Sequence, residues 1–292
     1  RFDLLGLLVY LLVCPNGLIT LLTDFGLQDV YVGVMKGVIL GIFPEAKVVD
    51  ISHGTPKYDI VTGAFMLADA CRQFPLGTVH VAVVDPEVGS RRNPIIVESR
   101  RSYFVGPDNG LLSMASQTEG IVKIVRIENA AYMLRDRSGT FDGRDVFSPA
   151  SAYLAKGTPL DNFGPRINSM VEMTLPKPKF SNRSFSAHIL HVDGFGNIVT
   201  DISSKALEDL GFKGEESLLT TVGRTTLSIP FRPTYSEVPV GSLVLIVGSH
   251  GFLEIAVNQG SAASALGARV GMKLKLRMGR RLCRSVKAPQ SF

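Results

Sequence analysis

The first half of the chain alternates short apolar runs with longer stretches of helical spacing. The runs predicted as buried strands are LITLLTD, AKVVDIS, TVHVAVVD, IIVES, SYFVG and IVKIVRI. Residues 29–43 and 58–74 are predicted as helices, with Asp29 as the cap of the first and Pro44 as its stop. Because strands that alternate with helices are typical of right-handed crossovers, this half is predicted as an α/β domain with a largely parallel sheet.

The second half carries short strands at close spacing, with turn residues between them. The segment LPKPKFSNRS, with two prolines and no periodicity, is predicted as a linker. Beyond it the strand-like runs are FSAHILHVDGFGNIVTDI, TTLSIPF, SLVLIVGS, FLEIAVN and KLKLRM, typical of a small all-β barrel. The predicted organisation is an N-terminal extension (1–17), an α/β domain (18–174), the linker (175–184), a β-barrel domain (185–278) and a basic tail (279–292).

Composition and charge add constraints on compartment and partners. With 292 residues and 45% hydrophobic content, the chain can bury a sizeable core. Eight of its 31 Lys and Arg lie in residues 269–292, which leaves 23 bases against 26 acids elsewhere. The net charge of +5 therefore reflects a basic tail, and no nucleic-acid partner is expected. Three distant cysteines, Cys14, Cys71 and Cys283, predict a reduced, cytoplasmic compartment rather than a disulfide framework.

The apolar run at residues 4–13 is short for a membrane span, which needs about 20 residues. Its length fits the core of a signal peptide, but Asp3 precedes it and no A-x-A-like cleavage site follows before Leu18. No membrane partner is therefore expected, while export or targeting stays open.

Polar residues follow three of the predicted strands: Thr23-Asp24, Ser52-His53 and Asp85. Because open parallel sheets bind ligands beyond the carboxyl ends of their strands, these positions are candidates for a site, although single aspartates there are often turn or capping residues. A carboxylate suits two vicinal hydroxyls, so a ribose is the candidate partner of Asp24.

Arg92 follows Asp85 across the loop PEVGSRR, at a distance along the chain that allows the two to pair. A structural ion pair and a catalytic pair are both open at this point. His53 and His80 have no second ligand at metal-like spacing, so no metal is expected. The phosphate-binding motifs GxxxxGK[ST] and GxGxxG and the nucleophile motif GxSxG do not occur, which argues against nucleotide phosphates and acyl transfer.

The loop SGTFDGRDVF contains two carboxylates, Asp142 and Asp145, beside Arg144. Taken alone, the loop is interpreted as a helix start, with Asp142 as the N-cap and Asp145 in the first turn. The rest of the chain favours a chemical role.

The chain resembles the S-adenosylmethionine (SAM) hydroxide adenosyltransferases, adenosine-forming hydrolases related to fluorinase and chlorinase. The resemblance is carried, in order over residues 18–276, by LTDFGLQDVYVGVMKG, FPLGTVHVAVVDPEVGSRR, FVGPDNGLL, TFDGRDVFSPASAYLAKG, DGFGNIVTDI and GSHGFLEIAVNQGSAA. It implies an α/β domain followed by a β-barrel, with SAM as the substrate and no further cofactor. It also implies a homotrimer whose active sites lie between the N-domain of one subunit and the C-domain of the next.

The resemblance also assigns residues. It places the ribose-binding carboxylate on Asp24, an aromatic over the substrate on Tyr58, and the pair that activates water on Asp85 and Arg92. Further substrate contacts are placed on Phe195, Asn197, Ser249, Glu254, Val257 and Asn258, the last two near adenine.

Two positions depart from the family pattern. The family usually has His at the position of Asp142 and Gly at the position of Glu87. Asp142 is expected to replace the usual proton acceptor, although an ordinary aspartate, with a pKa of about 3.9, is a weak base at neutral pH. Glu87 is expected to strain a loop whose usual glycine permits a positive φ or close approach to the ligand.

The predicted reaction is attack of water on C5′ of the ribose, which releases adenosine and methionine. One alternative is a non-catalytic adenosine- or SAM-binding protein, in which Asp142 has removed the base and left the binding residues. Another is a halogenase, whose relatives carry small hydroxyl or aromatic residues at the positions of Asp85, Val88 and Asp142. Two carboxylates at those positions disfavour it because they repel a halide. A structural protein is disfavoured by the number of binding positions present.

Overall fold

The computed structural model of the chain describes residues 13–173, 176–181, 184–209 and 217–278. The chain divides into two compact units, with the boundary between residues 174 and 175. The predicted tail at 279–292 and most of the predicted extension lie outside the described residues. Among those described, no helix combines the length and apolarity that crossing a membrane requires.

The first unit is built on a six-stranded sheet with helices on both faces. Its strands are β1 (Leu18–Thr23), β2 (Lys47–Ser52), β3 (Val79–Val83), β4 (Pro94–Ser99), β5 (Tyr103–Pro107) and β6 (Ile121–Arg126). Its helices are α1 (Tyr31–Ile42), α2 (Ile60–Cys71), α3 (Ser113–Glu119) and α4 (Ser148–Ala155), with 3₁₀ turns at Ala130–Tyr132 and Leu160–Phe163 and a π-helical turn at Gly143–Phe147.

The strand order is β2-β1-β3-β5-β4-β6. The first four strands in this order are parallel, whereas β4 runs antiparallel to both of its neighbours. Only residues 100–102 separate β4 from β5, and a parallel crossover needs a dozen or more residues. The predicted α/β domain with a largely parallel sheet is confirmed, with β4 as its reversed strand.

Apolar side chains on both faces of the sheet explain the near-continuous hydrophobic runs. Leu21 packs against one helical layer together with Met35 of α1, while Leu22 joins Leu67 of α2 on the other face. All four side chains are fully buried. Because parallel strands are covered on both sides, few polar residues fit within them, and the polar side chains of the candidate site lie at the strand ends.

The start of α1 differs from the prediction. Val30 is its N-cap, and no side chain caps the helix, so the prediction that Asp29 caps α1 was wrong. Asp29 lies one position before the N-cap, where its carboxylate is not placed to accept from the first helical N–H groups. The helix ends at Ile42, and Pro44 follows closely, as predicted.

The second unit is an antiparallel sheet that nearly closes into a barrel. Its elements are β7 (Lys179–Ser181), β8 (Ser184–Val192), β9 (Ile198–Ser203), α5 (Ser204–Asp209), β10 (Ser217–Val222), β11 (Thr225–Pro230), a 3₁₀ turn (Tyr235–Glu237), β12 (Leu243–Val247), β13 (Phe252–Val257), α6 (Ala262–Leu266) and β14 (Lys273–Met278). The strand order is β11-β10-β14-β8-β9-β13-β12, with β7 paired to β8.

The two ends of this order approach each other beyond β11. Phe231 forms an isolated bridge to Leu245 of β12, and the N–H of Arg232 donates to the carbonyl of Leu245 at 2.9 Å. The predicted β-barrel is therefore confirmed, as a nearly closed sheet. Strand β7 lies inside the segment predicted as a linker, and β10 is a strand that the sequence did not predict.

Candidate active site

The polar ends of β1 and β2 meet in the first unit, because these strands are parallel neighbours. Thr23 Oγ1 lies 2.8 Å from Nδ1 of His53, and both side chains are buried. Asp85 lies just beyond β3, the neighbour of β1 on the other side. The three polar strand ends predicted from the sequence therefore occupy one edge of the sheet.

Asp24 is buried at this edge and is tied to the loop that follows β2. Its Oδ2 accepts the backbone N–H of Tyr58 at 2.9 Å. Tyr58 has a φ of 65°, a conformation that costs a bulky residue free energy and persists only where its surroundings hold it. Its side chain is 68% exposed. The structure thus brings Asp24 and Tyr58 together, with the Tyr58 ring turned to solvent.

Arg92 joins two carboxylates that are distant in sequence. Its Nε lies 3.1 Å and 3.0 Å from the two carboxylate oxygens of Asp85. Its Nη2 donates both to Asp85 Oδ2 and to Asp142 Oδ2. The side chains of Arg92 and Asp85 are 6% and 5% exposed, and that of Asp142 is 18% exposed. The cluster therefore combines two carboxylates and one guanidinium, and all three groups are largely shielded from solvent.

The surroundings of Arg92 keep it charged. Burial alone would lower the pKa of the guanidinium, but the hydrogen bonds and charges of Asp85 and Asp142 outweigh burial and raise that pKa. The guanidinium carbon also lies 5.5 Å from the centre of the Phe147 ring, a cation–π contact. Arg92 is thus a fixed cation between two carboxylates.

The two acids of the loop SGTFDGRDVF have different partners. Asp145 is fully buried and anchors the loop: it pairs with Arg144 and accepts from the N–H and hydroxyl of Ser138 at 2.7 Å and 2.8 Å. Burial opposes the charge of Asp145, yet these hydrogen bonds lower its pKa. Asp142 occupies the N-cap position of the π-helical turn, but its side chain makes no capping bond, so the expectation that its carboxylate caps the helix was wrong. Its carboxylate reaches Arg92 instead.

A cavity of about 160 Å³ opens beside this cluster. It is lined by Phe25, Tyr31, Val83, Asp85, Val88, Thr140, Phe141, Asp142 and Gly143. The three aromatic rings pack on one another with centroids 5.1–5.7 Å apart. Sequence reasoning missed these rings as site residues. Phe25 and Phe141 could have been suspected from the sequence, because they are adjacent in the chain to the candidate site residues Asp24 and Asp142.

The loop at Glu87 does not carry the expected strain. Among the described non-glycine residues, a positive φ is found only at Tyr58 and Gln259. Glu87 is exposed, and its carbonyl accepts the N–H of Ser90 in an ordinary turn. The expectation that Glu87 strains this loop through a positive φ was therefore wrong, because its backbone stays in a region open to any residue.

The second unit has its own cavity, of about 710 Å³. Four residues that the family resemblance assigns to substrate binding line it, namely Phe195, Asn197, Val257 and Asn258. The remaining lining residues are Asp193, Tyr235, Gln259, Gly260 and Ser261. Phe195 is 82% exposed, which is unusual for a phenylalanine and leaves its ring accessible for stacking on a planar ligand.

Asp193 shapes the turn that presents Phe195. Its Oδ1 accepts the backbone N–H groups of Phe195 and Asn197 at 2.9 Å and 2.8 Å, and its Oδ2 accepts the side-chain amide of Asn197 at 2.9 Å. Gly196, with a φ of 84°, lies so close to Ser261 that a Cβ atom would collide with the serine side chain. Asp193 was not assigned from the sequence, although an aspartate that starts a DGFGN turn is a recognisable signal.

Ser249 and Glu254 do not line this cavity. Ser249 is exposed in the turn between β12 and β13. Glu254 is buried and accepts the Tyr235 hydroxyl at 2.8 Å, with Nε2 of His250 at 3.2 Å. Burial and the nearby Glu254 carboxylate raise the pKa of the Tyr235 phenol, so Tyr235 remains a neutral donor. Glu254 therefore reaches the cavity only through Tyr235.

The described part of the chain gathers no group of three or more His, Cys, Asp or Glu side chains suited to a metal ion. The chemistry that the described clusters offer is that of carboxylates, a guanidinium and apolar walls.

Both units match domains of one known protein family. Residues 19–164 match the SAM hydroxide adenosyltransferase N-terminal domain, and residues 187–275 match the C-terminal domain of the same family. The chain belongs to the SAM hydroxide adenosyltransferase family. The two matches cover the candidate clusters of both units.

Named members of this family and its relatives align over nearly the whole chain. An (R)-S-adenosyl-L-methionine hydrolase from Salinispora tropica is 35% identical over 91% of this chain and 100% of its own length. One from Thermus thermophilus is 37% identical over 87% of this chain and 97% of its own. A fluorinase from an Actinoplanes species is 27% identical over 88% and 96%.

A solved structure has the same fold as this chain. An uncharacterized conserved protein from Thermotoga maritima superposes with a TM-score of 0.86 at 35% identity, over 89% of this chain and 99% of the other. The two-unit architecture is thus shared with an experimentally determined structure.

Proposed function

We propose that this chain hydrolyses S-adenosyl-L-methionine to adenosine and L-methionine, by attack of water on C5′ of the ribose. The observation that carries the proposal is the cluster in which Arg92 joins Asp85 and Asp142, two carboxylates that line a cavity with aromatic walls. The hydrolase names borne by relatives that align over nearly their full length support the same reaction.

In the proposed step a water molecule in the cavity beside Arg92 attacks C5′. The oxygen–carbon bond forms as the C5′–sulfur bond breaks, and its electron pair returns to sulfur to give the neutral thioether of methionine. The water proton moves to the carboxylate of Asp142, while Arg92 offsets the negative charge that develops on oxygen and Asp85 orients Arg92.

The walls and the charge of the cluster suit this step. Because opposite charges disappear as hydroxide-like oxygen meets the sulfonium, a poorly solvated cavity favours the transition state. The aromatic wall formed by Phe25, Tyr31 and Phe141 supplies that environment. The net negative charge of the cluster attracts a sulfonium and repels a halide, which favours hydrolysis over halogenation.

In the same proposal Asp24 binds the ribose hydroxyls, Tyr58 covers the substrate, and the second unit binds the adenine. Support comes from the exposed ring of Phe195 at a cavity that Asn197, Val257 and Asn258 also line. Ser249 and Glu254 remain assigned by resemblance. We further propose that no metal or additional cofactor takes part and, from the cysteine usage, that the compartment is the cytoplasm.

The direct test is incubation of the purified chain with SAM, followed by chromatography. We expect adenosine and methionine in equal amounts, with and without a chelator such as EDTA. Adenosine binding without turnover would identify a non-catalytic binding protein. A halogenated adenosine product in the presence of chloride or fluoride would identify a halogenase. Either outcome would refute the proposed hydrolysis.

We also propose that the chain acts as a homotrimer, each active site combining the first unit of one subunit with the second unit of the next. The division of the candidate binding residues between the two units supports this arrangement. Light scattering is expected to give three times the monomer mass of 31.6 kDa. A monomer that binds adenosine with full affinity would contradict the proposal.

A further inference from the structure

His53 lies outside the cavities described above and has no role in the proposed chemistry, yet it is 5% exposed at the same sheet edge. Its Nδ1 is 2.8 Å from Thr23 Oγ1, and its Nε2 is 3.1 Å from Asp50 Oδ1. Asp50 in turn pairs with Lys36 of α1 at 2.6 Å. When the ring carries its proton on Nε2, the nitrogen that lies near Asp50, Nδ1 can accept the Thr23 hydroxyl proton.

The Thr23 hydroxyl continues this chain of hydrogen bonds into the loop that bears Asp24. Thr23 Oγ1 accepts the backbone N–H of Phe25 at 3.2 Å. The backbone carbonyl of His53 accepts the N–H of Gly26 at 2.8 Å. Residues 23–26 are therefore held by both the side chain and the backbone of His53, with Asp24 in the middle of the segment.

We propose that His53 is a positioning residue for SAM and adenosine: its contact with Thr23 fixes the loop that aims the Asp24 carboxylate at the ribose and places Phe25 in the cavity wall. The inference rests on the proposed function for the identity of the ligand.

The chain contains a matched control. His80 is also buried, and its Nδ1 lies 2.7 Å from the hydroxyl of Thr20. Thr20 and His80 face each other in mid-strand, as register partners of β1 and β3. Burial lowers the pKa of His80 to about 3, so this ring is neutral at working pH. The His80–Thr20 pair thus repeats the chemistry of His53–Thr23 without holding the loop that bears Asp24.

The test measures adenosine affinity by calorimetry and the kinetics of SAM hydrolysis for His53→Ala, His53→Asn and His53→Gln. A neutral hydrogen bond contributes about 0.5–1.5 kcal/mol, so we expect His53→Ala to raise the adenosine Kd and the KM for SAM about threefold to tenfold, with a smaller change in kcat. His53→Asn should restore affinity, because its amide occupies the place of Nδ1. His53→Gln, whose amide reaches the place of Nε2, should not.

Two further variants test the role of His53 even if His53→Ala does not fold. Thr23→Val removes only the hydroxyl and should weaken adenosine binding by the factor expected for His53→Ala. The double variant Thr23→Val/His53→Asn should bind no better than Thr23→Val alone, because the asparagine acts through the Thr23 hydroxyl. His80→Asn should lower thermal stability and leave the adenosine Kd unchanged.

Unchanged adenosine affinity in folded Thr23→Val, or an equal loss in His80→Asn, would overturn the positioning role. If the natural chain binds adenosine but does not hydrolyse SAM, the calorimetric arm still decides for or against His53. If the natural chain does not bind adenosine, both the proposed function and this inference fail.

Discussion

Replacement of Asp142 by asparagine is expected to lower the initial rate of adenosine release from SAM by about 10²–10⁴-fold, the usual cost of removing a general base. Asparagine has nearly the same shape and can still accept a hydrogen bond from Arg92, but it cannot take up a proton. The adenosine Kd should change little, because Asp142 belongs to the cluster around the water and not to the predicted ribose contact.

The companion variant Asp142→His restores the residue type that the family usually carries at this position. If the carboxylate is a weaker base than the imidazole, this variant should release adenosine faster than the natural chain. Asp136→Asn is the control for charge, since Asp136 is an exposed aspartate just before the loop SGTFDGRDVF and its replacement should leave the rate unchanged. Equal rates for the natural chain, Asp142→Asn and Asp142→His would remove Asp142 from the chemistry.

Replacement of Asp24 by alanine is expected to weaken adenosine binding at least tenfold. A hydrogen bond to a charged group contributes about 1.5–3 kcal/mol, and 1.4 kcal/mol corresponds to a factor of ten in Kd. The substitution also removes a second interaction, because Asp24 Oδ2 accepts the backbone N–H of Tyr58 and so stabilises the positive-φ conformation of that residue. Without that acceptor, Tyr58 is expected to leave the position in which it would cover the substrate.

Calorimetry on Asp24→Ala and Asp24→Asn separates these two contributions. Asparagine can still accept from Tyr58 and should recover part of the affinity, whereas alanine should not. Asp69→Ala, which removes a partly exposed carboxylate on α2, serves as the control for the loss of one negative charge. Full affinity in Asp24→Ala would show that the ribose binds elsewhere.

Much of the fold could be predicted because it depends on local patterns. The near-continuous apolar runs of β1 and β3 specify strands buried on both faces, and the helices between them specify parallel crossovers. The short connection between β4 and β5 required an antiparallel pair. Strand β10 was missed because its run SLLTTV buries only alternate residues and mixes hydroxyls with leucines, a weak signal outside its sheet.

By itself the sequence determined that the polar ends of the first strands share one edge of the sheet. The apolar runs mark the strands, and the helices between them imply that the strands are parallel, so both features can be predicted from local sequence. The ordered family motifs placed Asp24, Asp85 and Arg92 there. Only the tertiary structure decided that Arg92 bridges to Asp142, fifty residues away, and that Asp145 anchors the loop instead. Packing between segments that are remote in the chain decides which of the two acids in the loop contacts Arg92. It also decides which buried histidine contacts the Asp24 loop. Neither contact can be predicted from local periodicity, because the partners are far apart in sequence.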